Sequence, residues 1–197
     1  MIKNGNILLI PVVLLLVAVF ATIFLFGNEK DKEPPVIGFV LTGGMRDQGW
    51  NGRLYEAMDK VAKDLGMKLL VKENVSENTG DCPIAIRELA EAGANMIFLT
   101  SYGYPEEAKD IVTDYPRIAF ATISAKYTTR NMTANFARLY QGRYLSGIIA
   151  GMRTKSNVIG YVAAMENSEV NRGINAFTLG VQRVNPSARI VVAFTGS

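Results

Sequence analysis

Histidine is absent from the 197 residues, and cysteine occurs once, as Cys82. Without an imidazole there is no Ser-His or Cys-His nucleophile pair and no zinc site of the usual kind. One cysteine leaves no disulfide framework. Cys82 precedes Pro83 at a predicted helix start, where a thiol's pKa can fall, although a small residue in the first helical turn is the plainer reading. Basic blocks are missing as well. The net charge of +3 is scattered over the chain with no Lys/Arg cluster, which argues against nucleic acid as a partner. No acidic cluster is placed to hold a metal, so the sequence implies neither a metal nor a cofactor, and no catalytic residue is assigned.

Long apolar runs are equally rare, with one exception. Ile7 to Gly27 is 21 residues without a charge, and a bilayer-spanning helix needs about 20. That run exceeds the ~7–15 apolar residues of a secretory signal. No small-x-small cleavage site precedes Asn28. Residues 1–28 therefore read as a single-pass membrane anchor or uncleaved signal, holding the remainder on the extracytoplasmic side of the cell membrane. Residues 29–35, charged and ending in proline, read as a linker.

Beyond the linker, short β-branched runs alternate with amphipathic ones. "VIGFVLTG", "MKLLVKENV", "NMIFLTS" and "RIAFATIS" predict strands. "WNGRLYEAMDKVAKDLG", "DCPIAIRELAEAGA" (with Asp81 as its cap) and "PEEAKDIVTDYP" predict the helices between them. This rhythm implies βαβ crossovers and hence an α/β fold on a parallel sheet. A further helix, "ARLYQGRYLSGIIAGMRT", carries Gly142, Gly147 and Gly151 at a spacing suited to close packing on a sheet. A second strand–helix–strand set then runs to Ser197. The expected division is a first ligand-binding lobe over 36–153 and a partial second lobe over 154–197. Two strands and a helix do not close a core alone, so the chain reads as a fragment of a longer protein.

Ligands of open parallel sheets bind in the loops after the strands' carboxyl ends. Here those loops are "TGGMRDQGWN", "TSYGYP", "SAKYTTRN" and "MENSEV", rich in aromatics, hydroxyls and amides. The first holds Trp50, the chain's only tryptophan. Two readings of it stand. In one, Trp50 offers a flat face to a ligand, with Asp47 and Asn51 supplying hydrogen bonds and Gly43, Gly44 and Gly49 letting the backbone approach closely. In the other, the indole packs on a neighbouring loop and Asp47 is a plain helix cap. Ser101, Tyr102, Gly103 and Tyr104 after the third strand, and Ser124 after the fourth, are the other candidate ligand-binding residues. Tyrosines at such places also commonly cover a sheet edge. The loop lacks the G-x-G-x-x-G spacing of a dinucleotide site.

Together, "DQGWN", "TSYGY", "NFARLYQGRYLSGIIAGMRTKSNVIGYVAAM" and "EVNRGINAFTLGVQRVNPSARIVV" resemble the basic membrane protein family. Its members are substrate-binding proteins of ABC importers, similar in fold to type I periplasmic binding proteins. The resemblance runs from Val36 to Ser197. It implies a hinged two-lobed clamp on a purine nucleoside or nucleobase-like molecule, with an importer permease as partner. It further implies that Trp50 stacks on the base beside Asp47 and Asn51. Many members carry an aspartate where this chain has Ser124, which moves the expected ligand from nucleosides in particular to purine-like molecules in general. Members are also longer, so the 197-residue chain alone is expected to bind weakly. A ligand-sensing ectodomain would use the same fold. A nucleoside hydrolase is disfavoured by the missing histidine base.

Overall fold

The structure, a computed structural model, describes residues 33–196. The apolar run Ile7 to Gly27, and the anchor read from it, lie outside the described residues. Among the described residues no helix is long and apolar enough to cross a membrane.

The elements follow in the order β1 (Val36–Val40), α1 (Trp50–Asp64), β2 (Lys68–Lys72), α2 (Asp81–Glu91) and β3 (Met96–Leu99). Then come the short pair α3 (Tyr104–Ala108) and α4 (Ile111–Asp114), β4 (Ala119–Thr122) and β5 (Met132–Ala134). The chain ends with α5 (Leu139–Arg153), β6 (Val158–Ala163), α6 (Ser168–Val184) and β7 (Arg189–Phe194). One sheet has the order β2-β1-β3-β4-β5, with every neighbouring pair parallel. A second, two-stranded parallel sheet pairs β6 with β7. The α/β class expected from the alternating pattern is therefore the one observed.

Strand order reverses at β1, which has β2 on one side and β3 on the other. The crossovers leaving the ends of β1 and β3 consequently run to opposite sides, and a crevice opens between the loops that follow them. Beneath this crevice the core is built from Ile37, Phe39 and Val40 of β1, Ile97 and Leu99 of β3, Phe120 of β4, and Cys82, Ile86 and Leu89 of α2, all buried. Burial pushes the Cys82 thiol far up from its ordinary pKa. It is a packed core residue and not an activated thiolate.

Four local expectations are corrected. Asp81 is the first residue of α2 and not its cap; Gly80, at φ 85°, takes the cap position in a left-handed conformation suited to glycine. The single helix expected over 105–116 is two short ones. β5 went unanticipated because its sequence has no apolar alternation. It is held from its flank by Asn131, whose Nδ2 donates to the carbonyls of Val112, Tyr115 and Ile118 at 2.9–3.2 Å.

The fourth correction concerns α5, which packs on a helix and not on a sheet. A β-carbon added to Gly147 would lie 2.0 Å from the Phe177 carbonyl oxygen, and one added to Gly180 would lie 2.0 Å from that of Tyr144. The two backbones thus touch where α5 crosses α6. Substituting either Gly147 or Gly180 by alanine forces the helices apart, since the obstructing atoms are backbone. Each change is expected to destabilise by about 2 kcal/mol, as overpacking does, while Gly142→Ala, with open space around its added carbon, leaves stability unchanged or higher. Thermal melts of the three variants check this.

Candidate functional site

Trp50 opens α1 at the carboxyl end of β1. Its indole Nε1–H donates to the Thr100 carbonyl oxygen at 3.0 Å, at the end of β3. Thr100 is itself fixed in the core, where its Oγ1 donates to the Val40 carbonyl at 2.6 Å. One edge of the ring is thereby tied to the sheet while the side chain stays 42% exposed. It is tied to the neighbouring loop at one edge and is not sealed among aliphatic side chains.

Asp47 spends its acceptors on its own loop. Oδ1 receives the backbone N–H groups of Gly49 and Gly52, both at 2.8 Å. Oδ2 receives the Asn51 Nδ2 at 2.8 Å and the Asn51 N–H at 3.2 Å. These donors, with the Gly52 bond the strongest, hold the carboxyl pKa down at about 2. Of the two roles open to Asp47, the geometry shows the local one: from two residues before Gly49, which holds the cap position, its carboxylate accepts from first-turn amides that α1 otherwise leaves unpaired. Asn51 is only 7% exposed, and its Oδ1 also accepts from Thr42 Oγ1 at 3.1 Å. Close approach explains Gly43, where an added β-carbon would fall 2.8 Å from Asn51 Nδ2. The left-handed residue of this loop is Gln48, at φ 55°, and not Gly43, Gly44 or Gly49.

A cavity of about 670 Å³ opens beside Trp50, walled on one side by the first sheet's loops and on the other by the loop between β6 and α6. The structure brings Trp50, Asn51, Ser101, Tyr102 and Ser124 together in that wall. Gly103 borders a smaller neighbouring cavity instead, and its N–H donates to Glu77 Oε1 at 2.6 Å. Tyr104 is the clear departure from expectation. It is fully buried in the core, its hydroxyl donates to the Val75 carbonyl at 2.6 Å, and burial pushes its pKa well up. Tyr102, in the bend before α3, lines the cleft, while Tyr104, the first residue of α3, is buried in the core.

Sequence reasoning passed over the loop after β2, and it named "MENSEV" after β6 as a binding loop without singling out a residue in it. Ser76 and Glu77 come from the former, and Met165, Asn167 and Glu169 from the latter. The rule that ligands meet strands' carboxyl ends, applied to every strand, finds both loops. The loop after β3 touches the head of α6, where the Tyr102 hydroxyl and Ser168 Oγ are 2.6 Å apart; within the first unit, Lys126 Nζ lies 5.8 Å from the Tyr102 ring centroid. Among the described residues no group of three or more acidic or cysteine side chains is arranged to hold a metal ion.

A family profile described as ABC transporter substrate-binding protein, PnrA-like, matches residues 35–197. A purine-binding protein of Brucella abortus is 34% identical over 185 residues, covering 93% of this chain and 53% of the relative. Basic membrane protein A of Borreliella burgdorferi is 25% identical over 193 residues, covering 94% and 56%. The chain thus spans about half the length of the curated relatives it matches. Among solved structures, a solute-binding protein of an ABC transporter system from Aeropyrum pernix superposes with a TM-score of 0.70 at 20% identity, covering 83% of this chain and 48% of the other. That likeness shows the fold.

Asp47 supplies a pH test of its role in this loop. Its folded pKa lies below the ordinary carboxylate value of 3.8, so its contribution to stability is complete above about pH 4 and is lost as pH falls towards 2. The difference in melting temperature between the parent protein and Asp47→Asn is expected to be constant from neutrality to pH 4 and to shrink between pH 4 and 2. A difference that ignores pH contradicts the charged acceptor.

Proposed function

The chain belongs to the PnrA-like family of ABC transporter substrate-binding proteins, and from that premise we propose that it captures a purine-like solute in the cleft beside Trp50 and presents it to an importer permease. The observation that carries this reading is the pinned, half-open indole. A ring held at one edge by the Thr100 carbonyl loses little freedom when a planar ligand stacks on it, so less of the stacking energy is spent on ordering. The relative from Brucella abortus that is named purine-binding supports a flat heterocycle as ligand.

Around the ring the cavity offers hydroxyls and amides from Thr42, Ser101, Ser124 and Asn167. These fix the ligand's edge without demanding one charge state. Asn51 sets the depth of the floor, since its bonds to Asp47 and Thr42 hold it in place. Gly103 and Asp47 act one step back, shaping the loops that touch the ligand. Binding without chemistry fits the family; Asp47, held strongly acidic by its loop, is a poor proton acceptor at neutral pH. The proposed setting is the extracytoplasmic face of the cell membrane, with residues 1–28 as tether. The proposed division of labour assigns the five-stranded sheet to one jaw and the β6–α6–β7 unit, together with α5, to the other.

A sensing role would use the same cleft, but the family description favours import. Mass spectrometry of small molecules co-purifying with the full-length protein is expected to find a purine or nucleoside. Trp50→Ala in that protein is expected to weaken purine binding about thirtyfold or more, as loss of a buried aromatic anchor does. Its melting temperature should move little. Calorimetry and thermal melts separate the outcomes: a variant that unfolds, or one that binds as the parent does, contradicts the stacking role.

A further inference from the structure

The larger cavity has an uneven charge. Two carboxylates line it, Glu77 from the first jaw and Glu169 from the second, and no lysine or arginine does. Glu77 is already engaged, with Oε1 receiving the Gly103 N–H at 2.6 Å. Glu169 differs. It sits in the first turn of α6, in the wall that Trp50 shares, and its Oε2 is enclosed yet finds no hydrogen-bond donor on the protein.

An enclosed carboxylate oxygen without a donor is costly, because water's hydrogen bonds have been given up and nothing has replaced them. Its neighbours do not resolve this. The Asn167 side chain caps α6 by accepting from the backbone N–H groups of Glu169 and Val170, so it presents its oxygen to the helix. Arg143 and Arg172 border a smaller cavity of about 250 Å³ on which Glu169 and Trp50 also abut, but neither guanidinium reaches Oε2.

Resting on the reading of the cleft as a purine-like site, we propose that Glu169 is its specificity determinant, accepting an N–H bond from the edge of the ring that stacks on Trp50. The ligand class follows from that acceptor. A neutral or cationic heterocycle bearing ring or exocyclic N–H groups satisfies Oε2 with a charge-assisted bond. An anion, such as a nucleotide's phosphate, meets two carboxylates and no cation in the larger cavity. The second jaw thereby adds discrimination to the first jaw's stacking, and specificity arises partly by repulsion.

A glutamate in a first helical turn also complements the helix dipole, and that role predicts altered stability with unaltered binding. The test therefore reads both. The full-length protein, Glu169→Gln and Trp50→Ala are titrated calorimetrically with adenine, adenosine and adenosine monophosphate, and melted thermally without ligand. Expected for the parent is binding of adenine and adenosine, with the monophosphate at least about tenfold weaker. Glu169→Gln is expected to lose about tenfold to a hundredfold for adenine, the usual range for removing a charged hydrogen-bond partner, and to narrow the monophosphate gap. Trp50→Ala weakens every probe. Unchanged adenine affinity in Glu169→Gln, with Trp50→Ala weakened, overturns the role of Glu169 and leaves the stacking site standing. Monophosphate binding tighter than adenosine also overturns it. Failure of the parent to bind any probe overturns both readings.

Discussion

One hydrogen bond sets the rest of the site in place: the indole N–H of Trp50 on the carbonyl of Thr100. It joins the carboxyl ends of β1 and β3, the two strands between which the sheet's winding reverses. Because Thr100 is anchored in turn to Val40, the ring inherits the rigidity of the core while standing outside it. A large aromatic left exposed would ordinarily be mobile or would fold inward. Here the loop prevents both. Asp47 gathers three backbone amides and one side-chain amide into a fixed turn, and that turn delivers Trp50 at the first position of α1.

The two units meet through small contacts around this ring. Tyr102 reaches Ser168 at the head of α6, while α5 is locked to α6 by glycines whose absent side chains let carbonyls approach. α5, α6 and the β6–β7 pair thus pack as one unit. Several of its apolar residues, among them Leu145, Ile149, Val162 and Val191, are exposed. The first unit is different in kind, with a continuous core running from β1 through α2 to β5. The larger buried core lies there.

Much of this was legible before any coordinates. The alternation of β-branched runs and amphipathic segments announced the parallel α/β fold, and the carboxyl-end rule led to the loops around Trp50, Ser101, Tyr102 and Ser124. What escaped depends on tertiary packing. Nothing in "SYGYP" distinguishes Tyr102 from Tyr104, because a turn decides which tyrosine faces the core. β5 is docked by one asparagine side chain and has no periodicity of its own. The glycines of α5 signalled close packing correctly, but not whether the neighbour was a sheet or a helix. Gln48 in the left-handed region shows the same limit, since three nearby glycines were better candidates on intrinsic grounds. Glu169 was passed over because a glutamate near a helix start is an unremarkable residue until its oxygen is found without a partner.

Trp50 is the only tryptophan of these 197 residues, so any change in emission that disappears in Trp50→Ala reports on the cleft. Titrating the full-length protein with adenine while following tryptophan emission tests the central claim most directly. Stacking on the pinned indole predicts a saturable quench or shift in emission whose midpoint matches the calorimetric affinity. Calorimetric binding that leaves the emission untouched would place the ligand elsewhere and contradict the account.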